Sequence, residues 1–190
     1  MNPTLTPQDL QRVNVVGTSG SGKSTFAKQL AEVLGSPYIE MDRLYHGPNW
    51  SEPEPEVFRE RVTDAIAGER WVLDGNYHSK SCDIKWPRAT AVVWIDPSFT
   101  LNLWQAVTRA AHRAWTQQEL WPGTGNRETF RKSFFNHESV VLWTITSYKR
   151  LQRRYGDTMR SPPYEHLKFQ RLRGRRAVAD FLGALAEAIS

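Results

Sequence analysis

The chain is predicted to adopt an α/β fold, a three-layer α/β/α sandwich with a parallel sheet between helices. Two observations predict this. Short apolar runs alternate along the chain with longer stretches of helical period, and the first apolar run stops at a glycine-rich turn that opens a helix. Strands that alternate with helices pack as a parallel sheet with right-handed crossovers.

The elements follow in order. Arg12–Val16 is a valine-rich run that stops at the glycine-rich stretch, a buried strand entering a turn. From Ser24 to Leu34 the apolar residues Phe26, Leu30, Val33 and Leu34 keep helical spacing, and Gly35 is suited to cap the end. Pro37–Met41 reads as a second strand. Gly47, Pro48, Pro53 and Pro55 make residues 47–55 a loop, and a helix runs from about Pro55 to Ala67. Trp71–Asp74 is a third strand and the very apolar Thr90–Ile95 a fourth, with no element assigned between them. Asp96-Pro97 ends the fourth strand, and a long amphipathic helix spans about Ser98 to Trp115. Residues 116–136 are polar and weakly periodic, an excursion from which a helix of about His137 to Arg154 returns. After a break at Pro162-Pro163, His166–Arg171 forms a fifth strand and Arg175–Ile189 a closing helix. With no internal repeat or low-complexity segment, 190 residues suit a single domain, 1–190.

Composition narrows the class. Hydrophobic residues make up 39% and charged residues 24%, ordinary for a soluble protein. No apolar run approaches the roughly 20 residues that span a bilayer, and the N-terminus has neither the basic nor the apolar part of a signal peptide. The single cysteine, Cys82, excludes an intrachain disulfide and fits a reducing compartment. The expectation is a cytoplasmic protein without a membrane partner. The net charge of +5 is concentrated after Tyr148, in residues such as Lys149, Arg150, Arg153, Arg154, Arg171, Arg173, Arg175 and Arg176. Such a surface attracts either a nucleic-acid backbone or the phosphates of a small nucleotide.

The stretch Gly17-Thr18-Ser19-Gly20-Ser21-Gly22-Lys23-Ser24-Thr25 matches G-x-x-x-x-G-K-[ST] at every position, in the strand-to-helix context the motif requires. Its glycines let consecutive backbone N–H groups turn inward on a phosphate oxygen. The helix start near Lys23 adds its positive end. Lys23 can reach the β- and γ-phosphates and the Ser24 hydroxyl can ligate Mg²⁺, so ATP and Mg²⁺ are the expected cofactors.

Ligands of open α/β sheets bind at the carboxyl ends of the strands. Asp74, ending the third strand, is the candidate for holding Mg²⁺ with Ser24. Asp42, after the second, is the candidate general base toward an acceptor hydroxyl. Asp96 precedes Pro97 and reads as a turn residue. Arg109 and Arg113, four apart on one helix face, can neutralise charge on a transferred phosphoryl group. Arg150, Arg153 and Arg154 lie where the returning helix could bring them over the phosphates. Of the eight tryptophans, Trp94 and Trp143 read as packing. Trp50, in a loop with Tyr45, His46 and Asn49, suits either a ligand surface or a local mini-core.

The assembled order resembles the nucleoside-monophosphate kinase superfamily, which includes adenylate, shikimate and gluconate kinases. Leu73-Asp74-Gly75 and the pair Arg109–Arg113 carry that likeness. More narrowly the chain resembles the adenylate-kinase-related topology modulation (FlaR-type) proteins. That likeness rests on Asp42-Arg43-Leu44-Tyr45 with Trp50, on Trp71 to Tyr77, and on Glu119-Leu120-Trp121 with Asn126-Arg127-Glu128. The resemblance covers roughly Val13 to Leu182. It implies a P-loop NTPase core of five parallel strands, a substrate-binding insert near residues 43–70 and a lid near 114–137. Asp74-Gly75-Asn76-Tyr77 departs from the Asp-Gly-Phe-Pro-Arg of nucleotide-accepting members, and the insert is short and aromatic. Both departures argue against AMP as the acceptor.

The leading expectation is a small-molecule kinase that moves the γ-phosphate of ATP to a nucleoside monophosphate or a hydroxyl-bearing metabolite. The alternative is a nucleic-acid-associated ATPase or regulator using the basic C-terminal third. No recognition helix, zinc site or aromatic RNA-binding motif stands in the sequence to support it.

Overall fold

The structure, a computed structural model, describes residues 5–116, 119–126 and 140–189, with side chains in the last stretch from residue 145 on. Five strands form one sheet in the order β2-β3-β1-β4-β5, every neighbouring pair parallel. They are β1 (Arg12–Gly17), β2 (Tyr38–Glu40), β3 (Trp71–Asp74), β4 (Ala91–Ile95) and β5 (Lys168–Leu172). The helices are α1 (Lys23–Leu34), α2 (Met41–Tyr45), α3 (Pro55–Ala65), α4 (His78–Arg88), α5 (Phe99–Thr116), α6 (Val140–Arg160) and α7 (Gly174–Ile189).

Side chains alternate across the sheet with period two, as pleated strands demand. Val13 and Val15 of β1, Val72 of β3, and Ala91, Val93 and Ile95 of β4 pack under α1 and α7 through Phe26, Leu30 and Phe181. Val16, Trp71, Leu73, Val92 and Trp94 face the opposite layer, where Phe58, Val62, Trp86, Leu151 and Tyr155 come from α3, α4 and α6. Both faces being covered, the central strands are buried almost end to end rather than alternately, and β4 is wholly apolar. Three layers result, as expected.

Two elements differ from the sequence reading. Residues 78–88, left unassigned, form α4. The stretch HSKSCDIKWPR is polar and carries Pro87 in its last turn. Two of its buried positions, Ser81 and Lys85, are residue types that hydropathy assigns to solvent. The second strand is shorter than read, Tyr38–Glu40, and the chain turns directly into α2, which puts Asp42 in a helix's first turn. The returning helix runs on to Arg160. Most of the expected lid near 114–137, including Arg127 and Glu128, lies outside the described residues, as does the side chain of Trp143.

Candidate active site

Strand register brings the site together. Asp74 pairs in register with Glu40 on one side and Val15 on the other, and Gly17 stands beside Ile95. The carboxyl ends of β2, β3, β1 and β4 therefore form one edge, with the phosphate loop rising from β1.

In that loop Gly20 and Gly22 take φ of +80° and +88°, a region that side chains rarely enter. A Cβ on Gly20 would lie 2.8 Å from the backbone nitrogen and Cβ of Ala106, so the loop rests directly on α5. A Cβ on Gly22 would meet nothing within 4 Å, because there the loop faces open space. The Ser21 N–H donates to the Thr18 carbonyl at 3.1 Å and closes the turn, and α1 begins at Lys23. Its unpaired N-terminal N–H groups complete an anion cradle.

Three side chains that the sequence reading did not single out hold the loop from outside. Asn76 accepts the Gly17 N–H at 3.0 Å and donates back to the Gly17 carbonyl at 2.7 Å. Asn102, wholly buried on α5, accepts from the Thr18 hydroxyl at 2.7 Å and donates to the Ser19 carbonyl at 3.2 Å. The Tyr155 hydroxyl donates to Asn76 Oδ1 at 3.1 Å. A buried asparagine on a helix face whose other buried positions are Ala106, Ala110 and Ala114 was the one available signal for Asn102. The others depend on partners remote in sequence.

Of the arginine pair, Arg109 reaches the loop and donates from Nη2 to Ser19 Oγ at 2.7 Å. Arg113 stands one turn further along the same face, half-buried. Next to the loop lie a cavity of about 170 Å³ lined by Gly22, Lys23, Ser24, Thr25, Gln105 and Arg109, and one of about 210 Å³ lined by Thr25, Phe26, Gln29, Pro97, Gly174 and Arg175.

Each candidate carboxylate is held by one phenol. Tyr38 donates to Asp74 Oδ2 at 3.0 Å and Tyr77 donates to Asp42 Oδ1 at 2.9 Å. Burial first, then the neighbouring carboxylates, raise the pKa of both phenols, so they stay protonated donors at neutral pH. Asp74 is 3% exposed, and its Oδ1 is buried without a hydrogen-bond partner among the described residues. A carboxylate oxygen left so is costly, and a hard cation or its bound water would satisfy it. Asp74, with the Ser24 hydroxyl, thus fits the Mg²⁺ that a nucleotide would bring.

The aromatic loop forms a mini-core. His46, Trp50 and Trp121 contact one another with ring centroids 5.3–6.0 Å apart. Wholly buried Asn126 accepts the Trp50 N–H at 2.6 Å and donates to the Gly47 carbonyl at 3.0 Å. It holds Asn49 and Trp50 in left-handed backbone, φ 54° and 63°, which non-glycine residues adopt only under constraint. Burial also lowers the His46 pKa, keeping that ring neutral.

Other candidates lie elsewhere. Asp96 is bound by Arg171 at 2.8 Å and by Gln152 at 3.1 Å, joining β4, β5 and α6 as a structural residue. Arg150 and Arg153 are exposed on α6, and the half-buried Arg154 acts on His78, whose pKa burial and then that charge lower.

No family model matches the chain. It is 25% identical over 130 residues, 68% of its length, to Glucoamylase-1 of Arthroderma benhamiae, and spans 18% of the length of that protein. Among solved structures, the shikimate kinase of Acinetobacter baumannii in complex with shikimate aligns with a TM-score of 0.52 at 16% identity, over 95% of this chain and 93% of that one. The shikimate kinase of Bacteroides thetaiotaomicron aligns with a TM-score of 0.53 at 15% identity, over 94% and 98%. The chain has the fold of those kinases.

Proposed function

We propose that the chain is an ATP-dependent kinase that phosphorylates a hydroxyl group of a small metabolite. The observation that carries this is the convergence at one sheet edge of a complete phosphate loop, an arginine bound to it, and two carboxylates each held by a phenol. Kinases of the same fold support the reading.

In this reading Gly17–Thr25 bind the triphosphate through backbone N–H groups and Lys23, and Ser24 and Asp74 hold the cation. Mg²⁺, when bound, neutralises phosphate charge and orients the transferred group. Asp42 accepts the acceptor's hydroxyl proton at Oδ2, because Oδ1 is engaged by Tyr77. Arg109 and Arg113 stabilise charge on the phosphoryl oxygens. The acceptor lies between Asp42 and the 43–70 insert, whose aromatic residues His46 and Trp50, with Trp121 of the lid region packed on them, limit its size and exclude water. The part of the lid beyond residue 126 belongs to this proposal as well.

The basic C-terminal third gives little support to the nucleic-acid alternative. Arg171 is engaged by Asp96, Lys168 by Asp9 at 2.6 Å and Arg160 by Asp157, which removes three cations from any continuous stripe.

The test is ADP release across a panel of nucleoside monophosphates, sugars, cyclitols and other hydroxylated metabolites, with Lys23→Ala as the blank. Stimulation by a hydroxylated metabolite, reduced about 10²–10³-fold in Lys23→Ala, is expected. A flat panel would reject the kinase reading.

A further inference from the structure

Lys85 is a lysine with no exposed surface, in the last turn of α4. No carboxylate among the described residues pairs with it. Its Nζ donates instead to the Asn76 carbonyl, to the Gly75 carbonyl at 3.3 Å, and lies 3.6 Å from Met41 Sδ. A buried ammonium on backbone carbonyls needs a reason, since a methionine of the same length would bury more easily.

The reason lies one bond away. The Gly75-Asn76 peptides form the turn between β3 and α4, which Asn14, Val15 and the Tyr155 hydroxyl also hold, but among the described residues only Lys85 donates to the Asn76 carbonyl. Asn14 Nδ2 donates to the Gly75 carbonyl at 3.1 Å, and the Gly75 N–H donates to Val15 at 3.1 Å. The Asn76 carbonyl receives Lys85. Beyond that carbonyl, the Asn76 side chain makes the paired bonds to both polar atoms of Gly17, the first residue of the phosphate loop.

The geometry points to Lys85 as a positioning residue for nucleotide binding: it holds the Gly75-Asn76 turn so that the Asn76 amide clamps Gly17 and sets the start of the phosphate loop. The assignment rests on the phosphate loop being a nucleotide site, as proposed above. It does not require the charged form, because a neutral amine still carries two N–H donors for two carbonyls. Burial pushes the Lys85 pKa down to about 7, and either form serves.

The experiment is binding of a fluorescent ADP analogue with Mg²⁺ to the full chain, to Lys85→Met, to Asn76→Ala and to the double variant. Lys85→Met is expected to raise Kd roughly 10–100-fold, as loss of an orienting partner does at other sites. Since Lys85 acts through Asn76, the double variant should bind no more weakly than Asn76→Ala alone. Additive losses, or a Lys85→Met chain that binds as the unaltered one does, would overturn the assignment while leaving the nucleotide site intact. If the unaltered chain binds no nucleotide, the site itself falls and the role of Lys85 with it.

Lys85→Met leaves the Asn76 carbonyl without its donor and could unfold the chain, so a second pair of proteins separates bulk from hydrogen bonding. Lys85→Cys in a Cys82→Ser background is alkylated in denaturant with 2-bromoethylamine or with 1-bromopropane and refolded. The first restores a lysine-like amine and the second only its volume. Tight binding by the aminoethyl form alone is expected. Equal binding by both forms would overturn the proposal.

Discussion

Asp42 and Asp74 differ in what surrounds their second oxygen, and that difference suits different tasks. Asp74 Oδ1 is buried with no donor among the described residues, which suits it to the proposed cation, whereas the half-buried Asp42 suits a proposed contact with substrate. Asp42→Asn is expected to lower turnover about 10²–10⁴-fold with nucleotide affinity unchanged, checked by steady-state kinetics alongside ADP-analogue binding. Unchanged turnover would reject Asp42 as the base. Lys85 makes a separate prediction about stability. Its pKa falls from 10.5 in the ordinary range to about 7 in the fold, so between those values the unfolded chain binds the extra proton. Stability must then rise with pH across that window, by an amount on the order of a few kcal/mol, while below pH 7 both states are charged and the burial penalty is fully present. Urea denaturation from pH 7 to 10 should show the unaltered chain gaining stability relative to Lys85→Met. A constant difference would mean that the carbonyls keep Lys85 charged throughout.

The elements that carry the site were unequally legible. Strand β1, the loop and α1 announce themselves, because glycine spacing and apolar period are both local signals. The helix α4 does not, since its two most telling residues, Ser81 and Lys85, are buried polar groups of types that hydropathy assigns to solvent, satisfied by the carbonyls of Tyr77, Gly75 and Asn76 only once the turn before the helix has folded. The loop at 47–50 is a third case. Its aromatic residues were visible, yet its conformation is imposed by Asn126, 76 residues after Trp50. Asn126→Ala leaves the Trp50 N–H and the Gly47 carbonyl without their partner. It should destabilise the fold by about 1–3 kcal/mol in urea denaturation, the penalty for buried polar groups left unsatisfied. If the insert forms the acceptor site, the same variant should raise acceptor KM more than it lowers kcat.

For the molecule as a whole, the proposed nucleotide site lies where the loop after β1 meets α1, α5 and the first turns of α7, so ligand binding there would tie the layers together. ADP with Mg²⁺ at about 100 times its Kd should add about 2.7 kcal/mol to the folded state. For a chain of this size that corresponds to a rise of roughly 5–10 °C in Tm. A thermal melt of Lys23→Ala under the same conditions should show most of that rise lost. Nucleic acid should produce no comparable shift, because the basic residues after Tyr148 are divided among α6, β5 and α7 and several are already paired. Among the described residues no helix is long and apolar enough to cross a membrane.

The sequence by itself determined the five strands, the sandwich they build and the phosphate loop, since each depends on spacing within about a dozen neighbouring residues. Only the tertiary structure decided the strand order β2-β3-β1-β4-β5, and with it which carboxylate stands beside the loop. It alone placed Asn76 on Gly17 across 59 residues and Asn102 on Thr18 across 84. The physical reason is common to all of these. A buried polar side chain is worth having only where its partner already waits, and that partner comes from another element.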